Sequence, residues 1–237
     1  MKTALITGGS GGIGSAIVRK FSENSWRCAF SYNKSIDKAQ TLSKETGAIA
    51  IKADFLHDAD TSSFIKAATE QLCHVDAFIV NAGNAWQGML CDMPRSAWDD
   101  IINLHLTAPF EMLKKIIPLM RKRGCGSVVF ISSIWGKRGA SCEAAYSAAK
   151  AGQIALVRSL AQEEGASGIR FNAICPGPVD TAMLDCFCHK EKQDIVERCA
   201  LKYMPATNDI AEIVFFLCSE AAKTITGQAI SVDSGFL

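Results

Sequence analysis

The stretch "TGGSGGIGSAIVRKF", residues 7–21, passes within a few positions from a glycine-rich turn to an amphipathic segment. The apolar run at residues 3–7 predicts a short buried strand before the turn, and residues 13–23 have the spacing of a helix. Glycines allow a tight turn and a close approach to the backbone, and the first turn of a helix presents free amide groups to an anion. This order of strand, glycine turn and helix therefore predicts a dinucleotide-binding site.

The rest of the chain repeats the alternation of strands and helices. Short apolar runs predict further strands at residues 27–32, 48–53, 77–81, 127–132, 170–175 and 229–232. Longer periodic segments predict helices at residues 35–46, 60–73, 95–123, 143–165 and 207–221. Such alternation favours a parallel sheet covered by helices on both faces. We therefore expect an α/β fold, with one Rossmann-type, doubly wound domain over residues 1–237.

Composition argues against several classes of protein. Lys and Arg total 25 against 24 for Asp and Glu, so the chain lacks the basic surface of a nucleic-acid-binding protein. No run approaches the roughly 18 consecutive apolar residues of a membrane span. The first residues lead directly into a strand, so we expect no signal peptide, and the ten cysteines then favour a reducing cytoplasm. Cys186, Cys188 and His189 lack a second ligand pair at a recognisable spacing, so no metal is expected.

Tyr146 and Lys150 lie four residues apart in the predicted helix at residues 143–165, and side chains at this spacing share one helix face. A nearby ammonium stabilises phenolate, so the arrangement should lower the pKa of the phenol from its usual value near ~10. By itself the pair also occurs by chance in helices whose tyrosine only packs. The other motifs of the chain have to decide between these interpretations.

Five motifs occur in order along the chain: Gly8, Gly12 and Gly14 in the glycine turn, "NAG" at 81–83, "ISS" at 131–133, "YSAAK" at 146–150 and "PGPVDT" at 176–181. Together they resemble the short-chain dehydrogenase/reductase family, and the compact chain resembles its 3-oxoacyl-carrier-protein reductase branch. "ITGQAISVDSGF" at residues 225–236 is similar to the closing strand of that family, so the resemblance covers essentially the whole chain. It implies hydride transfer between a nicotinamide cofactor and a ketone or secondary alcohol.

The resemblance also implies catalytic roles. Tyr146 would be the general acid in carbonyl reduction and the base in alcohol oxidation, Ser133 would hydrogen-bond the substrate oxygen, and Lys150 would hold the nicotinamide ribose. The spacing places His105, rather than Asn103, where the family usually has an asparagine that supports a proton relay. Because imidazole titrates near ~6.5, we expect His105 to affect the low-pH limb of turnover. The alternative is a histidine satisfied by neighbouring backbone groups.

A larger set of residues matches the cofactor contacts of the family. They are Gly8, Ser10, Gly12, Ile13, Gly14, Tyr32, Asn33, Lys34, Ser35, Asp54, Asn81, Ala82, Gly83, Tyr146, Lys150, Pro176, Gly177, Val179 and Thr181. Asp54 would bind adenine, and its ordinary interpretation is a loop carboxylate or helix cap. Enzymes that use NAD commonly place an acidic residue at the end of the second strand, whereas this chain has Tyr32 followed by an amide, an ammonium and a hydroxyl. NADP(H) is therefore favoured over NAD(H), although Gly11 stands where many NADP-dependent relatives have a basic residue.

The segment at residues 183–204 corresponds to the variable substrate lid of the family. Its apolar residues are Met183, Leu184, Phe187, Ile195, Val196 and Leu201. Each of them is equally compatible with simple packing on the core. An apolar lid favours a ketone with substantial hydrocarbon, including a 3-oxoacyl thioester of a carrier protein or CoA. A hydroxysteroid, sugar or other secondary alcohol dehydrogenase stays open, as does a non-catalytic dinucleotide-binding regulatory protein.

Two expectations concern partners. Arg121, Lys122, Arg123 and Arg170 would suit an acidic carrier protein, and surface solubility explains these cations equally well. The predicted helices at residues 95–123 and 143–165 resemble the dimer-forming pair of the family, which implies a homotetramer or homodimer. Neither a nucleic acid nor a membrane is expected as a partner.

Overall fold

The computed structural model describes residues 1–181 and 188–236, and the strands of these residues form one parallel sheet of seven strands. The strands are β1 (Thr3–Ile6), β2 (Arg27–Tyr32), β3 (Ile49–Lys52), β4 (Ala77–Val80), β5 (Gly126–Ile131), β6 (Ile169–Pro176) and β7 (Ala229–Val232). Their order in the sheet is β3-β2-β1-β4-β5-β6-β7. The predicted Rossmann-type α/β fold is confirmed.

Helices connect the strands. They are α1 (Gly12–Glu23), α2 (Ile36–Thr46), α3 (Asp58–Leu72), α4 (Arg95–Ile102), α5 (Ala108–Arg123), α6 (Trp135–Arg138), α7 (Ala144–Glu164), α8 (His189–Arg198) and α9 (Thr207–Cys218). Short 3₁₀ turns lie at Leu90–Asp92, Gly165–Ser167 and Glu220–Ala222.

Alternating side chains of the buried strands divide the apolar core into two layers. In β1, Leu5 packs with residues of α3, α5 and α7 on one face of the sheet. Its neighbours Ala4 and Ile6 pack with residues of α1, α2 and α9 on the other face. Successive side chains of a strand point to opposite faces, so a strand covered on both sides needs a continuous apolar run. The run "ALI" of β1 satisfies this requirement, and its three residues are fully buried.

The strand order reverses direction between β1 and β4. The chain builds β1, β2 and β3 outward and then returns to place β4 on the other side of β1. Loops that leave β1 and β4 therefore diverge at the carboxyl edge of the sheet, which opens a crevice there. The glycine turn follows β1 and the "NAG" motif follows β4, so the fold brings the two motifs together.

The helix predicted at residues 95–123 is helical over this whole range, but a π-helical turn, Asn103–Thr107, divides it into α4 and α5. Proline has no backbone N–H, so Pro109 cannot donate to the carbonyl of His105, four residues earlier. That carbonyl instead accepts a hydrogen bond from Nε2 of Gln153 on α7, at 2.9 Å. The π-helical turn thus leaves the backbone carbonyl of His105 available to Gln153 on α7.

Three further observations bear on the classes of protein considered above. In the described ranges, no helix is both long enough and apolar enough to cross a membrane. The nine cysteines of these ranges are free thiols. No cluster of three or more His, Cys, Asp or Glu side chains within them could hold a metal ion. Cys186 of the C-x-C-H sequence lies outside the described residues.

Candidate functional site

A cavity of about 800 Å³ lies at the carboxyl ends of the strands. Every residue that the sequence analysis selected for cofactor contact or chemistry lines it, from Gly8 of the glycine turn to Thr181 after β6. The catalytic candidates Ser133, Tyr146 and Lys150 line the same cavity, and so does His105. The fold therefore brings together side chains that are separated by up to about three quarters of the chain.

The glycine turn forms one wall of the cavity. Gly8 has a φ angle of 68°, a left-handed conformation that favours glycine. A Cβ atom on Gly14 would collide with the carbonyl oxygen of Gly8, so α1 can approach the turn this closely only with glycine at residue 14. No side chain caps the N-terminus of α1, so the amide groups of its first turn face the cavity without a side-chain acceptor. This wall fits the diphosphate of a dinucleotide.

Thr7 connects the glycine turn to the loop after β4. Its Oγ1 accepts hydrogen bonds from the backbone N–H of Asn81 at 2.8 Å and of Ala82 at 2.9 Å. The Asn81 side chain completes the connection, because its Nδ2 donates to the carbonyls of Thr7 and Gly8, both at 3.0 Å. The "NAG" motif is thus more than an ordinary turn, since it holds the glycine turn in place.

The opposite end of the cavity lies beside β2 and β3. Tyr32 and the next three residues line it, and Lys34 is exposed there. Asp54 also lines this end, and its Oδ1 accepts the backbone N–H of Leu56 at 3.1 Å. The side chain of Asp54 therefore serves partly as the loop carboxylate that the sequence analysis kept as an alternative.

Lys150 is anchored on the strand beside it. Its Nζ donates to the carbonyl of Ile131 at 2.7 Å, and its own carbonyl accepts a hydrogen bond from Oγ of Ser132 at 2.9 Å. Burial lowers the pKa of Lys150 to about 7, and a contribution from Cys175 acts in the opposite direction. The ammonium is therefore close to its titration midpoint near neutral pH.

Tyr146 lies one helical turn before Lys150, and the Lys150 Nζ is 5.5 Å from the centre of its ring. Burial raises the pKa of Tyr146 to about 12, a side-chain hydrogen bond with Ser133 acts in the opposite direction, and the charge of Glu143 raises it. The expectation of a lowered pKa is wrong for the protein alone, because burial of the phenol is the largest cause and Lys150 does not contribute to the shift.

His105 is fully buried, and its ring lies edge-on to Tyr146 with 5.5 Å between the ring centres. Its Nε2 lies 2.8 Å from the carbonyl of Asn84. A carbonyl can only accept, so Nε2 carries the hydrogen and Nδ1 is a buried acceptor with no partner among the described residues. Burial is the larger cause that lowers the pKa of His105 to about 3, and the positive charge of Lys150 is the second. The expected titration near ~6.5 is therefore wrong, and the ring stays neutral at working pH.

The segment after β6 closes the cavity near the glycine turn. The N–H of Gly177 donates to the carbonyl of Val232 at 3.0 Å, which fixes the "PG" turn against β7. A Cβ atom on Gly12 would lie 2.8 Å from Cγ2 of Thr181, so Thr181 packs directly on the start of α1. Val179 is buried in the core on this face.

The predicted lid falls only partly within the described residues. Met183, Leu184 and Phe187 lie outside them. Ile195 on α8 lines the cavity and packs against Ile134 and Phe236. Leu201 is 59% exposed and does not line the cavity. The apolar contribution of the described lid is thus centred on Ile195.

The sequence analysis missed several residues that line the cavity, among them Trp135, Glu143, Arg198 and Phe236. Glu143 could have been found, because it lies three residues before Tyr146 at the start of the same helix. Phe236 packs edge-on against Trp135 with 6.1 Å between the ring centres, and the Arg198 guanidinium lies 4.4 Å from the centre of the Phe236 ring. These contacts join distant parts of the chain, so no local pattern indicates them.

The cations proposed for an acidic carrier have partners within the chain. Arg121 pairs with the buried Glu164, and Arg123 pairs with Asp76 at 3.1 Å. Arg170 donates to the carbonyl of Ile225 at 3.2 Å. The three arginines therefore have partners within the chain, and these contacts favour neither the carrier protein nor surface solubility as their role.

Comparison with known proteins identifies the family. The model described as "Enoyl-(Acyl carrier protein) reductase" matches residues 8–237. The chain is 36% identical over 239 residues to the "Uncharacterized oxidoreductase YmfI" of Bacillus subtilis, with 99% of this chain and 98% of the relative covered. The chain belongs to the short-chain dehydrogenase/reductase family. It is an oxidoreductase that acts on CH–OH and C=O groups, as members of this family are, and the family uses a nicotinamide dinucleotide.

Other members of this family are similar over almost the full length. The 3-oxoacyl-[acyl-carrier-protein] reductase FabG of Staphylococcus epidermidis is 35% identical, with 99% of this chain and 98% of the relative covered. The acetoacetyl-CoA reductase of Shinella zoogloeoides is 37% identical, with the same coverage. The crystal structure of 3-ketoacyl-(acyl-carrier-protein) reductase from Brucella melitensis, complexed with NADH, matches with a TM-score of 0.92 and 27% identity, covering 99% of this chain and 98% of that one.

Proposed function

We propose that the protein is an NADP(H)-dependent oxidoreductase that reduces a ketone to a secondary alcohol, or catalyses the reverse reaction, at a site made of Ser133, Tyr146 and Lys150. One observation carries the proposal: these three side chains and the glycine turn line the same cavity. A hydride donor bound along the glycine turn would therefore lie in the same space as a proton donor.

Each residue has a task that its position supports. The bound nicotinamide supplies or accepts the hydride. Tyr146 donates its hydroxyl proton to the carbonyl oxygen during reduction and accepts it back during oxidation. Ser133 donates a hydrogen bond that stabilises negative charge on that oxygen. Lys150, whose ammonium is held by Ile131, places a positive charge beside Tyr146 and can bind ribose hydroxyls.

Replacement of the proton donor tests the assignment. Tyr146→Phe keeps the ring, so NADPH should still bind while turnover falls by roughly 10²-fold or more. Ser133→Ala should also lower turnover, through loss of an oxyanion donor. Ser63→Ala, the same change on the exposed side of α3, is the matched control. Rates near those of the unchanged protein in both site variants would show that the assignment is wrong.

The preference for NADP(H) is supported by the end of β2. Lys34 is exposed at the cavity, and no acidic residue stands between Tyr32 and Ser35. Because a carboxylate repels a 2′-phosphate, Tyr32→Asp should weaken NADPH binding by at least about tenfold and improve the relative use of NADH. Fluorescence titration of both proteins with both cofactors measures this. Tighter binding of NADH than of NADPH by the unchanged protein would contradict the preference.

The favoured substrate is a 3-oxoacyl thioester. Relatives named for 3-oxoacyl carrier-protein and acetoacetyl-CoA reduction support this class. The apolar cluster of Ile134, Cys199 and Phe236 beside the cavity favours hydrocarbon in the substrate. Hydroxysteroid, sugar and other secondary alcohols are the alternatives. Turnover of a ketone and alcohol panel that includes a 3-oxoacyl thioester decides among them, and cofactor binding without any turnover would indicate a regulatory protein.

A further inference from the structure

Glu143 places a carboxylate beside the reacting groups. It is the residue before α7, and it lies three positions ahead of Tyr146. Its side chain lines the cavity and is half-buried. Within residues 1–181 and 188–236, that side chain makes no hydrogen bond or ion pair, and it does not cap α7. The Glu143 carboxylate therefore offers the cavity a hydrogen-bond acceptor and a negative charge, neither of which is paired with another described residue.

The charge of Glu143 reaches the reacting hydroxyl. It raises the pKa of Tyr146, whereas the Arg198 charge is not among the causes of that shift. Burial raises the pKa of Glu143, and no cation among the described residues acts against this shift. Arg198, a cation that also lines the cavity, is stacked on Phe236. The Lys150 ammonium lies beside Tyr146 as well, but it donates to the carbonyl of Ile131 and forms no ion pair with Glu143. The Glu143 carboxylate therefore presents an unpaired negative charge to the cavity near Tyr146.

We propose that Glu143 determines the charge of the accepted substrate: it excludes 3-oxo acids, whose free carboxylate is one methylene group away from the reacting carbonyl, and it admits electroneutral 3-oxo esters and thioesters. This inference rests on the proposed function. A second carboxylate near Glu143 is repelled at close range and in a partly desolvated place, where charge interactions are stronger than in water. An ester or thioester brings no such charge, and the amide N–H of a thioester arm can donate to the Glu143 carboxylate.

The test compares two substrates that differ in one charge. Acetoacetate and its N-acetylcysteamine thioester are assayed with NADPH at about pH 8, far above the usual pKa of a carboxyl group. The unchanged protein should favour the thioester. Glu143→Gln removes the charge and keeps the shape, so the ratio of kcat/KM for thioester over acid should fall by at least about tenfold, mainly through a lower KM for the acid. Glu143→Lys should lower the ratio further.

The matched control is Glu163→Gln, the same change on the exposed far end of α7, about 30 Å away at 1.5 Å per residue. It should leave the ratio unchanged. Circular dichroism and NADPH titration verify that each variant folds. If a Glu143 variant is inactive, binding of acetoacetate and of the thioester's 3-hydroxy product to its NADPH complex supplies the same ratio.

The outcomes separate the two proposals. Absence of turnover with both substrates in the unchanged protein would overturn the proposed function. Turnover with a ratio that is equal in the unchanged protein, Glu143→Gln and Glu143→Lys would leave the function intact and overturn the role of Glu143. An equal shift in the Glu163→Gln control would overturn it as well.

Discussion

At the scale of single residues, His105 shows how burial decides what a side chain can do. Its pKa is about 3 in the folded protein, whereas an unfolded chain has a histidine pKa near ~6.5. Between these values the unfolded state binds more protons, so the free energy of unfolding rises with pH in that window and falls as the pH drops from ~6.5 toward 3. One such group contributes a slope of up to ~1.4 kcal/mol per pH unit.

We predict that His105→Asn removes this contribution. Urea unfolding at a series of pH values between ~6.5 and ~4 measures the slope for the unchanged protein and the variant. His57→Asn, a change at an exposed histidine, is the matched control and should keep the slope. An equal slope in His105→Asn and the unchanged protein would contradict the buried, neutral state. Because the neutral His105 ring does not titrate in the working range, His105→Asn should also leave the low-pH limb of turnover unchanged.

The sequence predicts which residues make up the candidate site, but it does not predict their ionisation. The ordered motifs select Tyr146 and Lys150 together with the glycine turn, and all of them line one cavity in the structure. The pKa values depend on burial and on partners such as Asn84, 21 residues from His105. Such contacts form only when the sheet and helices have assembled, so residue spacing cannot reveal them.

At the scale of elements, the turn between β1 and α1 depends on one hydroxyl. Thr7 Oγ1 accepts the N–H groups of both Asn81 and Ala82. Thr7→Val has nearly the same shape but leaves two partly buried donors unpaired, and each costs at most about 1–3 kcal/mol. We predict a loss of up to about 2–6 kcal/mol in the free energy of unfolding, together with weaker cofactor binding.

Thr7→Ser is the matched control for this prediction. It keeps the hydroxyl and removes only a methyl group, so it should retain most of the stability and the NADPH affinity. Denaturant titration and cofactor titration of the three proteins give the two quantities. If Thr7→Val and Thr7→Ser destabilise the protein equally, the loop after β4 is held by packing of the Thr7 methyl group rather than by the hydrogen bonds of its hydroxyl.

Most elements were predictable because their patterns are local. All seven strands and most of the helices agree with the predicted positions to within a few residues. The π-helical turn Asn103–Thr107 was not predicted, because apolar spacing does not distinguish its hydrogen-bond pattern from that of an α-helix. Pro109 is a local signal that the helical hydrogen bonding changes. The partner that the freed carbonyl of His105 then finds, Gln153, comes from another helix and has no local signal.

At the scale of the whole molecule, the sheet explains why widely separated motifs form one site. Strand β1 lies next to β4, and β5 and β6 follow in the sheet. Each of these strands ends at the same edge and leads into one motif: the glycine turn, "NAG", "ISS" and "PGPVDT". Parallel pairing brings the carboxyl ends of these strands together, so motifs that are far apart in the sequence lie next to one another in the fold.

The last prediction concerns association of whole molecules. The resemblance to the family's dimer-forming helix pair implies a homotetramer or homodimer, and Phe110 on α5 leaves 49% of its surface exposed. A carboxylate at the centre of an apolar contact would be desolvated without a partner, so Phe110→Glu should shift the assembly to smaller species. Light scattering coupled to gel filtration measures the mass. Leu201→Glu, at another exposed apolar residue outside α5 and α7, should leave the mass unchanged. A monomeric unchanged protein would contradict the implied assembly, and an unchanged mass in Phe110→Glu would exclude this surface from it.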